Sequence, residues 1–138
     1  MANAALLACS ALMVIGAVHF YWAAGGSAGK AGAIPSRNGR PVLSPSRIST
    51  ALVGAALFGM AGIVGSTAGI LPRFLPLGLL QGASVVLALT FAARAVGEFR
   101  YVGFFKRVRG SIFSERDTYI YSPLCLLLGV LIAMIALA

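Results

Sequence analysis

Residues 4–24 read AALLACSALMVIGAVHFYWAA, a run without Asp, Glu, Lys or Arg. A helix that crosses a lipid bilayer needs about 20 consecutive apolar residues, and this run supplies them. Three further runs repeat the signal: Ile48–Leu71, Phe74–Ala93 and Thr118–Ala138. The third meets Arg94, and its helix is expected to continue to about residue 99. Backbone in hydrocarbon must satisfy its own hydrogen bonds, so the four runs predict helices. The expected fold is all-α: a single transmembrane domain over residues 1–138, an antiparallel four-helix bundle. The first run lacks a basic stretch ahead of it and is too long for a signal-peptide core, so a retained helix is expected.

Composition points the same way. The chain is 59% hydrophobic and 10% charged, with a mean hydropathy of +0.95, whereas soluble domains carry about a quarter charged residues. The net charge of +8 comes from residues grouped between the apolar runs, without a nucleic-acid-binding pattern around them. Orientation in the membrane and attraction to anionic lipid account for it better. The expected partners are therefore membrane lipids, anionic at the cytoplasmic face, and no nucleic acid. Cys9 and Cys125 sit singly within apolar runs and read as packing residues, not a disulfide or a zinc site.

The first connection carries Lys30, Arg37, Arg40 and Arg47. The third carries Arg100, Lys106, Arg107, Arg109 and Arg116, and the second has Arg73 alone. An excess of Lys and Arg marks cytoplasmic loops, which puts both termini outside. In the third connection, Tyr101, Phe104, Phe105, Val108 and Ile112 follow helical spacing. This predicts an amphipathic segment in the headgroup layer, weakened as a continuous helix by Gly103 and Gly110. The fourth helix can start at Ser122-Pro123, or earlier with Asp117 as its cap and Pro123 kinking it; the second start is favoured because the first leaves the helix short. Small residues recur at packing intervals: Ala51, Ala55 and Gly59, then Gly65 and Gly69, then Gly78 and Gly82. They predict close helix packing within the bundle and also allow a homo-oligomer.

The polar side chains of the spans gather at the basic end. His19 and Trp22 close the first span, Arg94 and Glu98 the third, and Asp117, Tyr119 and Tyr121 open the fourth. An interfacial belt explains the aromatics and arginines. Ionisable groups at membrane depth are also functional-site candidates. In that reading His19, Glu98 and Asp117 form a catalytic set for acid–base chemistry on an amphiphile, while Trp22, Arg94, Arg100, Tyr119 and Tyr121 hold the ligand. Three functions follow: binding of a lipid or amphiphilic small molecule, a membrane-embedded enzyme, or an oligomeric conduit for protons or small solutes. No phosphate-cradling glycine loop and no HExxH is present, and one histidine without a cysteine cluster makes a metal site improbable. The residues name no cofactor.

Three motifs extend the reading: HFYWAAGG at His19–Gly26, RAVGEFRYVGFF at Arg94–Phe105, and DTYIYSPLCL at Asp117–Leu126. Together they resemble a family of small four-pass bacterial membrane proteins catalogued only as a domain of unknown function. The resemblance covers nearly the whole chain. It implies an inner-membrane four-helix protein and supplies no activity, substrate or cofactor.

Overall fold

A computed structural model describes residues 1–138. Helix α1 spans Ala2–Ala23 and α2 spans Arg47–Thr67. Between them lie a 3-10 turn at Lys30–Gly32 and a small hairpin of β1 (Ser36–Arg37) and β2 (Arg40–Pro41). Helix α3 spans Leu77–Val96. The last span comprises α4 (Ile112–Arg116), a π-helical turn (Asp117–Tyr121) and α5 (Ser122–Ala136). All four spans are long and apolar enough to cross a membrane.

The bundle is built from two antiparallel pairs, α1 with α2 and α3 with α5. Each pair closes around a glycine. A Cβ on Gly16 of α1 would sit 3.1 Å from the Gly54 carbonyl oxygen of α2, and one on Gly129 of α5 would sit 3.1 Å from the Ala88 carbonyl oxygen of α3. Absent side chains let backbones approach and gain dispersion contact, the main attraction between helices where lipid is as apolar as leucine. The two pairs meet over Ala8, Leu12, Leu57, Val64, Leu128 and Ile132. Leu7, Val14, Leu52, Leu79, Val86 and Leu89 project outward, as a lipid-facing surface requires.

The glycine positions correct one expectation. Gly59, Gly69, Gly78 and Gly82 face open space, and Ala55 is exposed. The close helix contacts use Gly16, Gly54 and Gly129 instead, because repeated small residues do not by themselves specify which face turns inward.

Local chemistry fixes the helix ends. Ser46 caps α2, its side chain accepting from the Ser49 N–H at 3.1 Å, and Ser111 caps α4 by accepting from the Ser114 N–H at 3.0 Å. The fourth span thus begins at Ile112, and Asp117 lies inside it rather than capping it. Pro123 lacks an N–H and its ring crowds the preceding turn. The chain widens just ahead of it, where the Ser122 N–H bonds back to the Asp117 carbonyl, a five-residue step characteristic of π-turns. That widening leaves Asp117 fully buried while Tyr119 is 80% exposed.

The third connection has no regular structure between Val96 and Ile112. Gly97, Gly103 and Gly110 hold φ of 90°, 90° and 86°, outside the helical range, so the apolar spacing of Tyr101–Ile112 never becomes a helix. Gly97 also ends α3, so Glu98 lies beyond it and does not share a helix face with Arg94.

Candidate functional site

At the loop-bearing end of the bundle the polar side chains form two separate groups. The first is centred on Asp117. One carboxylate oxygen accepts from Arg94 Nη2 at 2.8 Å. The other accepts from the Gly103 N–H at 2.8 Å and from Lys106 Nζ at 3.0 Å. Lys106, 2% exposed, spends its other two donors on the Gly103 carbonyl at 3.0 Å and on Thr118 Oγ1 at 2.6 Å. Buried charges persist when paired and hydrogen-bonded, and the Asp117–Lys106 pair meets both conditions. Arg94, with 33% of its side chain exposed, is the more solvated cation. Arg94 Nη1 and Ser122 Oγ are buried without partners.

The loop supplies its share of this clasp because two glycines touch. A Cβ on Gly103 would lie 2.4 Å from Gly97 Cα, and one on Gly97 would lie 1.8 Å from the Val102 carbonyl oxygen. Glu98 stabilises the same turn, accepting from the backbone N–H groups of Tyr101 and, at 3.2 Å, Val102. The Phe104 N–H then bonds to the Ala95 carbonyl at 2.9 Å. Residues 97–103 thus fold back on the end of α3 and deliver the Gly103 N–H and Lys106 to Asp117.

The second group surrounds two adjoining hollows. A slot of about 260 Å³ opens between the end of α1 and the start of α2, lined by His19, Trp22, Lys30, Ile34, Thr50 and Val53 among others. A groove of about 910 Å³ lies between the first and third connections, its cations being Lys30, Arg37 and Arg109. Lys30 and Ile34 line both. No acidic side chain lines either hollow, and none of the three cations has a carboxylate partner. Like charges in a concave site reinforce one another's field and attract anions. The wall is tied to the bundle through Gly32. A Cβ there would lie 2.3 Å from Arg116 Nη1, and the Tyr121 hydroxyl donates to the Gly32 carbonyl at 3.0 Å.

The expected site residues therefore divide. Arg94 and Asp117 come together; His19 and Trp22 come together elsewhere, their rings edge-to-face at 5.2 Å. His19, Glu98 and Asp117 form no common constellation: His19 lines the slot, Glu98 stabilises an exposed turn, and the Asp117 carboxylate is occupied by cations and backbone. Arg100 is exposed and stacks over its neighbour Tyr101 at 5.1 Å. Tyr119 points away from the bundle, and Tyr121 serves the loop tie. Lys30 and Lys106 stand out in the sequence only as basic loop residues, and Ser49 and Thr50 not at all. A buried acid demands a cation, which signals that some lysine or arginine had to join Asp117; nothing in the sequence selects Lys106 or singles out Lys30.

Four apolar spans with a polar, loop-covered end define a multi-pass helical membrane protein. The chain matches the family described as protein of unknown function (DUF3995) over residues 12–132, and it belongs to that family. No curated protein and no solved structure matches it.

Proposed function

We propose that the protein binds an anionic amphiphile at the loop-bearing end, its charged head in the basic groove and its apolar part in the slot. The observation that carries this reading is the junction of the two hollows at Lys30 and Ile34, a cation beside an aliphatic side chain, with no acid in either lining. Val53 is exposed on the outer face of α2 and also lines the slot, which favours entry of an acyl chain from the lipid side. The distribution of Lys and Arg favours placing this end in the cytoplasm of a bacterium, at the inner leaflet of its inner membrane. A cytoplasm-only reporter fused after Ala138 is then inactive, and an active one overturns the orientation.

Trp22 is the chain's single tryptophan and lines the slot, so its fluorescence reports occupancy. In phosphatidylcholine nanodiscs, a brominated-chain anionic lipid with a methyl phosphate head is expected to quench Trp22 more effectively than brominated phosphatidylcholine. Lys30→Ala reduces that preference about five-fold, the loss expected from one lysine near an anionic head. Equal quenching by the two lipids in the unaltered protein refutes the proposal.

A further inference from the structure

The slot's hydrogen-bonding capacity is one-sided. His19 Nδ1 lies 2.8 Å from the Ile15 carbonyl oxygen; a carbonyl only accepts, so Nδ1 carries a proton, and the neutral tautomer this contact selects presents Nε2 as a lone pair. Thr50 Oγ1 donates its proton to the Ser46 carbonyl at 2.8 Å, and Ser49 Oγ donates to the same oxygen at 2.9 Å. Trp22 Nε1 donates to the Ala28 carbonyl at 2.8 Å. With these protons committed, His19 and Thr50 can only accept from a ligand, Ser49 Oγ already accepts from Ser46 Oγ at 3.1 Å, and among the slot's side chains the Lys30 ammonium alone donates.

A bare phosphate or carboxylate satisfies Lys30 and leaves the acceptors without a donor. A ligand ammonium supplies donors but adds a like charge beside Lys30, with Arg37 and Arg109 in the adjoining groove. A hydroxyl supplies the donor without the charge. Resting on the amphiphile reading above, we infer that the ligand's head is a polyol phosphate: an anionic group held by Lys30 at the junction of the two hollows, with hydroxyls on the slot side that donate one to His19 Nε2 and one to Thr50 Oγ1.

The test compares two brominated-chain anionic lipids of equal charge in phosphatidylcholine nanodiscs, one with a glycerol phosphate head and one with a methyl phosphate head. The glycerol head is expected to quench Trp22 at about five-fold lower mole fraction, the gain of one to two hydrogen bonds. His19→Phe and Thr50→Val each reduce that ratio toward one; the ratio is taken within each variant, so a general loss of slot binding weakens both lipids alike and leaves the ratio in place. A ratio of one in the unaltered protein, or a ratio that neither variant moves, overturns the inference and leaves the amphiphile reading standing. Failure of both anionic lipids to exceed phosphatidylcholine overturns both. Free glycerol phosphate distinguishes the ligand's source. Relief of quenching by it at a concentration no higher than the lipid's means that the head alone carries the affinity, which keeps the polyol-phosphate head and overturns the amphiphile, and no relief at that concentration supports a lipid.

Discussion

Asp117 and Lys30 lie at the same end of the bundle and meet opposite fates. The Asp117 carboxylate receives three donors and is sealed from solvent. The Lys30 ammonium has no carboxylate and lines two hollows. Both groups carry charge near lipid, where ionisable residues are functional candidates by default. What separates them is whether protein atoms already satisfy them. A charge with its partners in place holds chain segments together; a half-buried charge without them has capacity left for a ligand. The contrast shifts interest from the acid in the fourth span to a lysine in a glycine-rich loop.

The sharpest way to break the contrast is Asp117→Asn. Removing the carboxylate charge leaves Lys106 buried beside Arg94 with nothing to offset either, and breaking a buried pair costs about 3–5 kcal/mol. Reversible unfolding in mixed micelles checks this. Adding Lys106→Met to Asp117→Asn removes the stranded charge and restores part of the loss, because buried ion pairs replaced whole by apolar groups are often near neutral. A double variant no better than the single one would mean that Lys106 contributes packing rather than charge.

A smaller effect comes from attacking the same clasp through its backbone. Gly103→Ala places a Cβ at φ of 90°, 2.3 Å from the Val96 carbonyl oxygen. Positive-φ strain and overpacking together cost about 3 kcal/mol. Amide exchange at Gly103 and Phe104 should rise with it, since their N–H groups bond to Asp117 and Ala95. Stability unchanged by this variant would show that the loop reaches Asp117 without the glycine contact.

The four spans were legible because their cause is local: twenty or so apolar side chains in a row need nothing else in the chain to read as helix. The gathering of His19, Trp22, Arg94, Asp117 and Tyr121 at one end followed from counting crossings. The division of that end into two groups was not legible. It depends on Gly97 meeting Gly103, which brings Lys106 back to Asp117, and on a π-turn whose position Pro123 sets and which turns Asp117 inward. Both are consequences of three-dimensional closure between residues that no spacing rule connects. The small-residue intervals misled for a related reason: α3 buries Ser84 and Ala88 and turns Gly78 and Gly82 to the outside, a choice its partner helix makes.

Tyr121 sharpens the comparison because it connects the two regions. It belongs to the π-turn that positions Asp117, and its hydroxyl holds Gly32, two residues after Lys30. Tyr121→Phe keeps the ring against Phe113, 6.1 Å away, and deletes one hydrogen bond, a loss of about 1 kcal/mol. Loosening at Lys30–Gly32 should then appear as faster backbone exchange there, with the Gly103 N–H unaffected. Equal loosening of both would mean that the clasp and the hollows are a single cooperative unit.

Lys30→Ala carries the smallest expected change in stability, within about 0.5 kcal/mol, since surface substitutions that remove no partner rarely exceed that. It is also the most discriminating variant. The ammonium gives up no ion pair on removal, and relief of repulsion with Arg37 and Arg109 offsets what packing its methylenes provide. The same substitution should weaken anionic-lipid quenching of Trp22 and flatten its salt dependence, because exposed charges are screened at physiological ionic strength over about 8 Å. Binding thus changes without stability at Lys30, whereas Asp117→Asn changes stability. A marked loss of stability in Lys30→Ala would place this lysine among the structural charges, and the unneutralised groove would then have to be explained by Arg37 and Arg109 alone.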